Sequence, residues 1–160
     1  MAKRNLGSTN FWLVAGLLIL SVSCPAWASL GGDVSTIQAD QAHMRGTVRT
    51  TANAGYTVHE IKGESGTVVR EYVSSEGRVF GLAWQAPWPP DMRQLLGSYF
   101  DQYAQALKTK PQTGPRFGRR PLMVEQAGLV VEMGGHPRAF MGKAYVPDML
   151  PTGVKAEDIQ

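Results

Sequence analysis

Cysteine is nearly absent from this chain of 160 residues, and its single copy, Cys24, lies close to the amino terminus. The segment 29–160 contains none. This excludes disulfides, a thiol nucleophile and thiolate metal ligands from that part of the chain. A segment of this length buries enough surface to fold without such crosslinks, and it is long enough for one domain but not for two.

An excess of charge of one sign is also missing. The chain has 16 Lys and Arg against 13 Asp and Glu, but Lys3 and Arg4 belong to the segment 1–28, which contains no acidic residue. The segment 29–160 therefore holds 14 basic and 13 acidic side chains. This near-neutral balance gives no support for nucleic acid binding, which depends on a clustered positive field.

The segment 1–28 has the pattern of a cleavable secretory signal. Lys3 and Arg4 are followed by an uncharged apolar run from Phe11 to Val22, and the segment Ala26 to Ala28 matches an A-x-A cleavage site. The apolar run would span about 18 Å as a helix, short of the ~30 Å of a bilayer core. We therefore expect cleavage between Ala28 and Ser29 and export, to the periplasm first, with the outer membrane or the exterior as other destinations.

Two alternatives to this cleavage remain open. Processing before Cys24 would leave a cysteine for lipidation, although Ser21-Val22-Ser23 lacks the Leu found three residues before the cysteine in lipoprotein leaders. An uncleaved leader would instead remain as an anchor. The membrane is expected to contact the protein only through the leader or such a lipid.

The segment 29–160 alternates strand and turn signals on either side of one helical signal. Leu30 to Gly32 predicts a flexible start, Ser35 and Gln38 predict the capped start of a short helix, and Thr47 to Thr51 is compatible with a brief strand. Strand patterns follow in two groups of three, separated by Gly- and Ser-rich turns: 56–62, 67–73 and 78–84, then 122–125, 129–133 and 138–146. Turns this short predict antiparallel pairing. In the third strand, Phe80, Leu82 and Trp84 are expected on a core face. The other face of this strand carries small residues, which would allow another segment to pack closely against it.

Between the two groups, apolar residues recur at spacings of three and four from Met92 to Leu107, which predicts one amphipathic helix from Asp91 to about Lys108. Asp91 and Gln94 form a capping box. The expected fold is α+β, an antiparallel sheet of about six strands packed on this helix, in one domain over 29–160. A β-sandwich is the alternative, but the central helix counts against it. A basic Pro/Gly loop at 107–120 and an irregular tail at 147–160 complete the domain.

Motifs for catalysis or metal binding are scarce. Ser65 lies in a turn that lacks G-x-S-x-G spacing, and His43, His59 and His136 lack the spacing of a metal pair. No cofactor and no metal are expected. His59 with Glu71 on the next strand is the best catalytic constellation, set against a simple cross-strand polar pair. His136, in the turn Gly134 to Pro137, is a further weak candidate for a ligand contact.

Two segments are candidate binding surfaces. Trp84-Gln-Ala-Pro-Trp88-Pro-Pro joins strand to helix, and Trp88 is either a cover for the helix start or a stiff aromatic platform for a sugar, a peptide or a partner protein. The basic loop is either solvated or contacts anionic envelope polymers or lipid head groups through Arg116, Arg119 and Arg120, with Lys108 and Lys110 nearby.

The chain resembles a bacterial exported family named domain of unknown function 2844. The motifs that carry the resemblance are Gly55–Glu60, Ser65–Val73, Gly77–Phe80 with Trp84, Pro90–Phe100, Gly134–Phe140 and Ala144–Pro147. The resemblance covers nearly all of the segment 29–160 and implies a Gram-negative envelope setting, without an activity, substrate or catalytic residue.

These observations favour a non-enzymatic envelope module for binding or assembly, whose partner is an envelope protein or an anionic envelope polymer. The alternatives are an enzyme built from dispersed residues such as His59, Glu71 and His136, and an assembly factor that is lipid-anchored through Cys24.

Overall fold

The computed structural model of the chain describes residues 30–109 and 121–160. These described residues form one antiparallel sheet of seven strands in the spatial order β1-β2-β3-β4-β7-β6-β5. The strands are β1 (Thr47–Asn53), β2 (Tyr56–Lys62), β3 (Val68–Ser74), β4 (Val79–Ala86), β5 (Leu122–Gln126), β6 (Leu129–His136) and β7 (Ala139–Tyr145).

The α+β class and the antiparallel sheet are as predicted, but the count of about six strands is too low. The additional strand is β1, where the sequence was compatible with a brief strand over Thr47 to Thr51. It pairs with β2 along its whole length, from Thr47 opposite Lys62 to Asn53 opposite Tyr56. Its sequence is polar and rich in Thr, and most of it is exposed. It therefore lacks the apolar alternation that makes a half-buried strand conspicuous in a sequence.

Short turns connect β1, β2, β3 and β4 into one meander, and β5, β6 and β7 into a second. The last strand of each meander meets the other in the middle of the sheet, where Leu82 of β4 lies opposite Ala144 of β7. This pairing joins segments that are distant in the chain, and it puts the two edges of the sheet at β1 and β5.

The predicted single helix from Asp91 to Lys108 is interrupted. It consists of α2 (Met92–Leu96) and α3 (Phe100–Thr109), joined by a 3₁₀ turn that begins at Gly97. Gly97 has φ +49°, a backbone conformation that favours glycine, so the chain changes direction there while the apolar spacing continues. Asp91 caps α2 as predicted, since its carboxylate accepts from the backbone N–H groups of Arg93 and Gln94.

A shorter helix, α1 (Ile37–His43), precedes the sheet and packs over β2. Asp33, rather than the predicted Ser35, caps the 3₁₀ turn that leads into it, by accepting from the Ser35 N–H. The expected flexible start is also wrong, because Leu30 is fully buried and its N–H donates to the Leu95 carbonyl at 3.1 Å.

The core lies on both faces of the sheet. The helices cover one face, which we call the helix face, and bury an apolar cluster that includes Val69, Val73, Leu82 and Trp84. The segment 147–160 packs on the opposite face, which we call the tail face. Ile159 is buried there against Gly81, where an added Cβ would lie 2.7 Å from the Ile159 Cδ1 atom. The small residues of β4 thus admit a close neighbour, as predicted.

The predicted face of Phe80 is wrong. Leu82 and Trp84 belong to the cluster on the helix face, whereas Phe80 packs with Tyr72 and Ile159 on the tail face. A β-bulge at this end of β4 shifts the register: Tyr72 lies opposite Gly81 and Val73 opposite Val79, which leaves Phe80 as the extra residue. Such a bulge breaks the simple alternation on which the prediction depended.

Within residues 30–109 and 121–160, no helix is both long and apolar enough to cross a bilayer.

Candidate functional site

The most unusual group in the described structure is a carboxyl side chain inside the apolar core. Glu71 occupies the middle of β3, between Val69 and Val73 on the helix face, and is 0 % exposed. Strand alternation requires this position to face inward, since its two neighbours at i±2 are core residues. Among the described residues, neither oxygen of Glu71 has a hydrogen-bond partner of good geometry.

A second buried carboxyl group, Asp40 of α1, faces Glu71. Burial, followed by the negative charge of Asp40 and hydrogen bonding with it, raises the pKa of Glu71 to about 9. Glu71 therefore keeps its proton at neutral pH, which avoids an isolated charge in the core. Gln94 of α2 donates from Nε2 to Asp40 Oδ1 at 3.2 Å, instead of reaching back to its own helix start as the capping box predicted.

His59 and Thr50 extend this group to the surface. His59 is the direct register partner of Glu71, and Thr50 is that of His59, so the three side chains share the helix face. Thr50 Oγ1 lies 3.0 Å from His59 Nδ1. Partial burial lowers the pKa of His59. We call Asp40, Thr50, His59, Glu71 and Gln94 the polar cluster.

The structure brings together two of the three weak catalytic candidates. His59 and Glu71 are adjacent, but His136 lies at the exposed end of β6, where its Nδ1 is 3.1 Å from the Pro137 carbonyl oxygen. The carboxyl groups of Asp40 and Glu71 are both buried, at 2 % and 0 % exposed. The polar cluster can therefore share protons internally, and Thr50, His59 and Gln94 are its described members that reach the solvent.

The part of the chain that the structure describes contains no group of three or more His, Cys, Asp or Glu side chains arranged to hold a metal ion. The two carboxyl groups and His59 are thus not a metal centre by their geometry.

Asp40 and Gln94 are members of the polar cluster that sequence reasoning missed. A signal existed for Asp40, which lies at i+3 from the buried Ile37 and so falls on the apolar face of α1. An acidic residue on an apolar helix face requires a buried partner. The identity of that partner depends on how α1 packs on β3, which no local pattern contains.

Trp88 lies in the connection between β4 and α2 and is 68 % exposed. Its neighbour in sequence, Pro87, approaches the β2–β3 turn at Gly66. Trp84, four residues earlier, is buried in the core, where it packs over Gly142 of β7. The two tryptophans of this segment therefore have different roles, and Trp88 is an exposed aromatic surface held on a proline-restricted backbone.

The tail face carries an open groove beside residues 158–160. Two shallow depressions, of about 320 Å³ and 500 Å³, share Val58 and Arg70. Glu60 lies in the first and is bound by Lys62 at 3.1 Å and by Arg70 at 2.8 Å. These contacts lower the pKa of Glu60, so this carboxylate is charged and neutralised by its own neighbours.

The remaining predicted site residues lie outside the described residues. They are the basic-loop residues Arg116, Arg119 and Arg120, the predicted cleavage site between Ala28 and Ser29, and Cys24, the alternative lipidation site.

A family model described as "Protein of unknown function (DUF2844)" matches residues 26–159. This match confirms the resemblance seen in the sequence motifs. No curated protein and no solved structure matches the chain. Function must therefore be inferred from the residues of the chain itself.

Proposed function

The chain belongs to the DUF2844 family, and from that premise we propose that it is an exported, non-enzymatic module of the cell envelope that binds a partner through Trp88. The observation that carries this proposal is the 68 % exposure of Trp88. A large apolar side chain gains little by remaining in water, whereas tryptophan is enriched at the energetic centres of protein interfaces.

The setting of Trp88 suits a binding role. Prolines precede and follow it in the segment Pro87-Trp88-Pro89-Pro90. A backbone restricted in this way loses little conformational entropy when a partner binds, so more of the contact energy remains as affinity. The partner is an envelope protein or an anionic envelope polymer. Export is supported by the charged, apolar and A-x-A parts of the segment 1–28.

The experiment that tests the proposal is site-specific photo-crosslinking in living cells. A photoreactive phenylalanine analogue replaces Trp88 in one variant and Met123 in a control. Met123 is also apolar and 50 % exposed, but it lies on β5 at an edge of the sheet. We expect a discrete crosslinked product in the envelope fraction from position 88 and none from position 123. Identical products, or none from either position, would contradict the proposal.

A second candidate function is an enzyme that uses His59 and Glu71 as an acid–base pair, and their direct register pairing favours it. The burial of Glu71 counts against it. An NMR titration of the His59 imidazole, compared between the parent and Glu71→Gln, distinguishes the two functions. A working pair requires the titration of His59 to move, whereas a protonated Glu71 that serves only the core leaves it unchanged.

A further inference from the structure

Strand β1 is an edge of the sheet that none of the described strands covers. It runs for seven residues, six of them exposed, and among the described strands it pairs only with β2. In an antiparallel pair, every second residue of an edge strand directs its N–H and C=O groups away from the sheet. The edge therefore presents a row of hydrogen-bonding groups that an added strand would satisfy.

Natural proteins usually block such an edge with a proline, a bulge or several charges. The sequence of β1, TVRTTAN, has no proline and a single charged residue, Arg49. Its register with β2 is continuous from end to end, without a bulge. The opposite edge differs, since β5 has only five residues and α3 packs beside it. The lack of these protective features at β1 favours an edge that pairs with a strand of another molecule.

The charge of this edge selects the kind of strand it would accept. The segment 41–59 includes two arginines, Arg45 and Arg49, and no acidic residue. Both arginines are exposed. Glu60, the register partner of Arg49, is occupied by Lys62 and Arg70, so the Arg49 guanidinium makes no ion pair with a described carboxylate. An acidic segment complements this edge.

The two faces of β1 add a pattern of side chains. Arg49 and Thr51 line the 320 Å³ depression on the tail face. The alternate residues Val48, Thr50 and Ala52 lie on the helix face, where Val48 packs against the core. A strand added at this edge would place carboxylates beside Arg49 and small apolar side chains beside Val48, because successive residues point to opposite faces.

We propose that β1 receives an extended acidic segment of another protein as an added antiparallel or parallel strand. This surface is separate from Trp88 and is supported by different observations. Self-pairing of two copies is less favourable, because it would bring two basic edges together. The added strand gains affinity from main-chain hydrogen bonds and selectivity from its alternating side chains.

The test uses the protein as the cell processes it, labelled with ¹⁵N, and a capped heptapeptide that alternates glutamate and valine. We expect alternate amides within residues 47–53 to gain protection from hydrogen exchange when this peptide is added. The matched heptapeptide with lysine in place of glutamate should not protect them. Arg49→Glu should weaken binding of the glutamate peptide by about tenfold, as for the loss of one charge-assisted contact.

Arg138→Glu is the control, since Arg138 is an exposed arginine in the β6–β7 turn and the change in net charge is the same. It should leave the affinity within about twofold of the parent, because only screened long-range charge changes. The proposal is overturned if both peptides bind equally, if Arg138→Glu weakens binding as much as Arg49→Glu, or if protection maps outside β1. Protection without peptide, together with a dimeric mass in sedimentation, would assign the edge to a second copy and also overturn it.

Discussion

At the scale of single residues, the protonation of Glu71 makes the stability of this fold depend on pH. The pKa of Glu71 is about 9 in the folded chain, against 4.5 for the unperturbed group. The folded state therefore binds more protons than the unfolded state between these values, so the free energy of unfolding falls as the pH rises through this window. At pH values below the unperturbed pKa both states are protonated and this contribution is complete.

Glu71→Gln tests this dependence, since the amide keeps a donor toward Asp40 and cannot ionise. We expect urea unfolding of the variant to lose most of the decline in stability between about pH 5 and 9, an effect on the order of a few kcal/mol for the parent. The control is Glu125→Gln, a change at an exposed carboxylate of β5. If the free energy of unfolding of the parent and of Glu71→Gln changed with pH in parallel, Glu71 would have to be ionised in the core.

The position of Glu71 on a strand beside His59 was predictable, because register and alternation are local properties. The faces of Phe80 and Val79 were not, since Phe80 packs on the tail face and Val79 on the helix face. The β-bulge that reverses them lies on β4 itself, where Phe80 is the extra residue between Val79, opposite Val73, and Gly81, opposite Tyr72. Nothing in the apolar pattern of β4 marks that shift.

At the scale of elements, the segment 147–160 acts as a strap across the tail face. The Lys143 Nζ donates to the Ala156 carbonyl at 2.9 Å, and the Gln160 N–H donates to the Tyr72 hydroxyl at 3.0 Å. The prolines of this segment indicated an irregular tail in the sequence. In the structure the segment contains two short 3₁₀ turns. Its docking was not predictable, because it depends on Ile159 reaching the surface left open by Gly81.

A double-mutant cycle between Gly81 and Ile159 measures this docking. Ile159→Ala should destabilise the fold by about 2–4 kcal/mol, as for other buried aliphatic truncations. Gly81→Ala should cost about 1–3 kcal/mol through overpacking against Ile159 Cδ1. In the Ile159→Ala background the cost of Gly81→Ala should largely disappear, since the clashing atom is gone. Strict additivity of the two unfolding free energies would mean that the strap does not dock on β4.

The helical region shows the same limit of local patterns. The spacing of apolar residues from Met92 to Leu107 and the cap at Asp91 were sufficient to locate α2 and α3. The break between them was not predicted, although Gly97 stood in the sequence. A glycine inside an apolar stripe is compatible with a continuous helix, and only packing decides whether its positive φ is used.

At the scale of the whole molecule, the strand segments were predictable, whereas their order was not. Turns of a few residues force neighbours in sequence to pair, which defines both meanders. The contact of β4 with β7 brings together segments separated by α2 and α3, so it depends on packing rather than on a turn. That contact creates a single sheet with β1 and β5 at its edges, and it puts the proposed docking strand at one of them.

The burial of Leu30 limits how far along the chain the predicted leader could be cleaved. Leu30 is fully buried and hydrogen-bonded to Leu95, while the Gly31 N–H donates to the Val79 carbonyl at 2.8 Å. Cleavage between Ala28 and Ser29 keeps both contacts, whereas cleavage after Leu30 would remove its side chain from the core. These contacts are compatible with cleavage before Cys24 as well, but the A-x-A pattern of Ala26 to Ala28 favours the later site. We therefore expect intact-mass analysis of the protein from cells to give a chain that begins at Ser29, and an acylated chain that begins at Cys24 would refute this.

The same contacts predict that the first described residues, from Leu30 to Val34, stabilise the fold. Leu30→Ala should lower the free energy of unfolding by about 2–5 kcal/mol, since it leaves a cavity beside α2. Val34→Ala is the matched control, because Val34 lies in the same segment but is 39 % exposed, and its effect should stay within about 0.5 kcal/mol. Equal effects of the two substitutions in urea unfolding would mean that residues 30–34 are only loosely attached, and the limit on cleavage would then no longer hold.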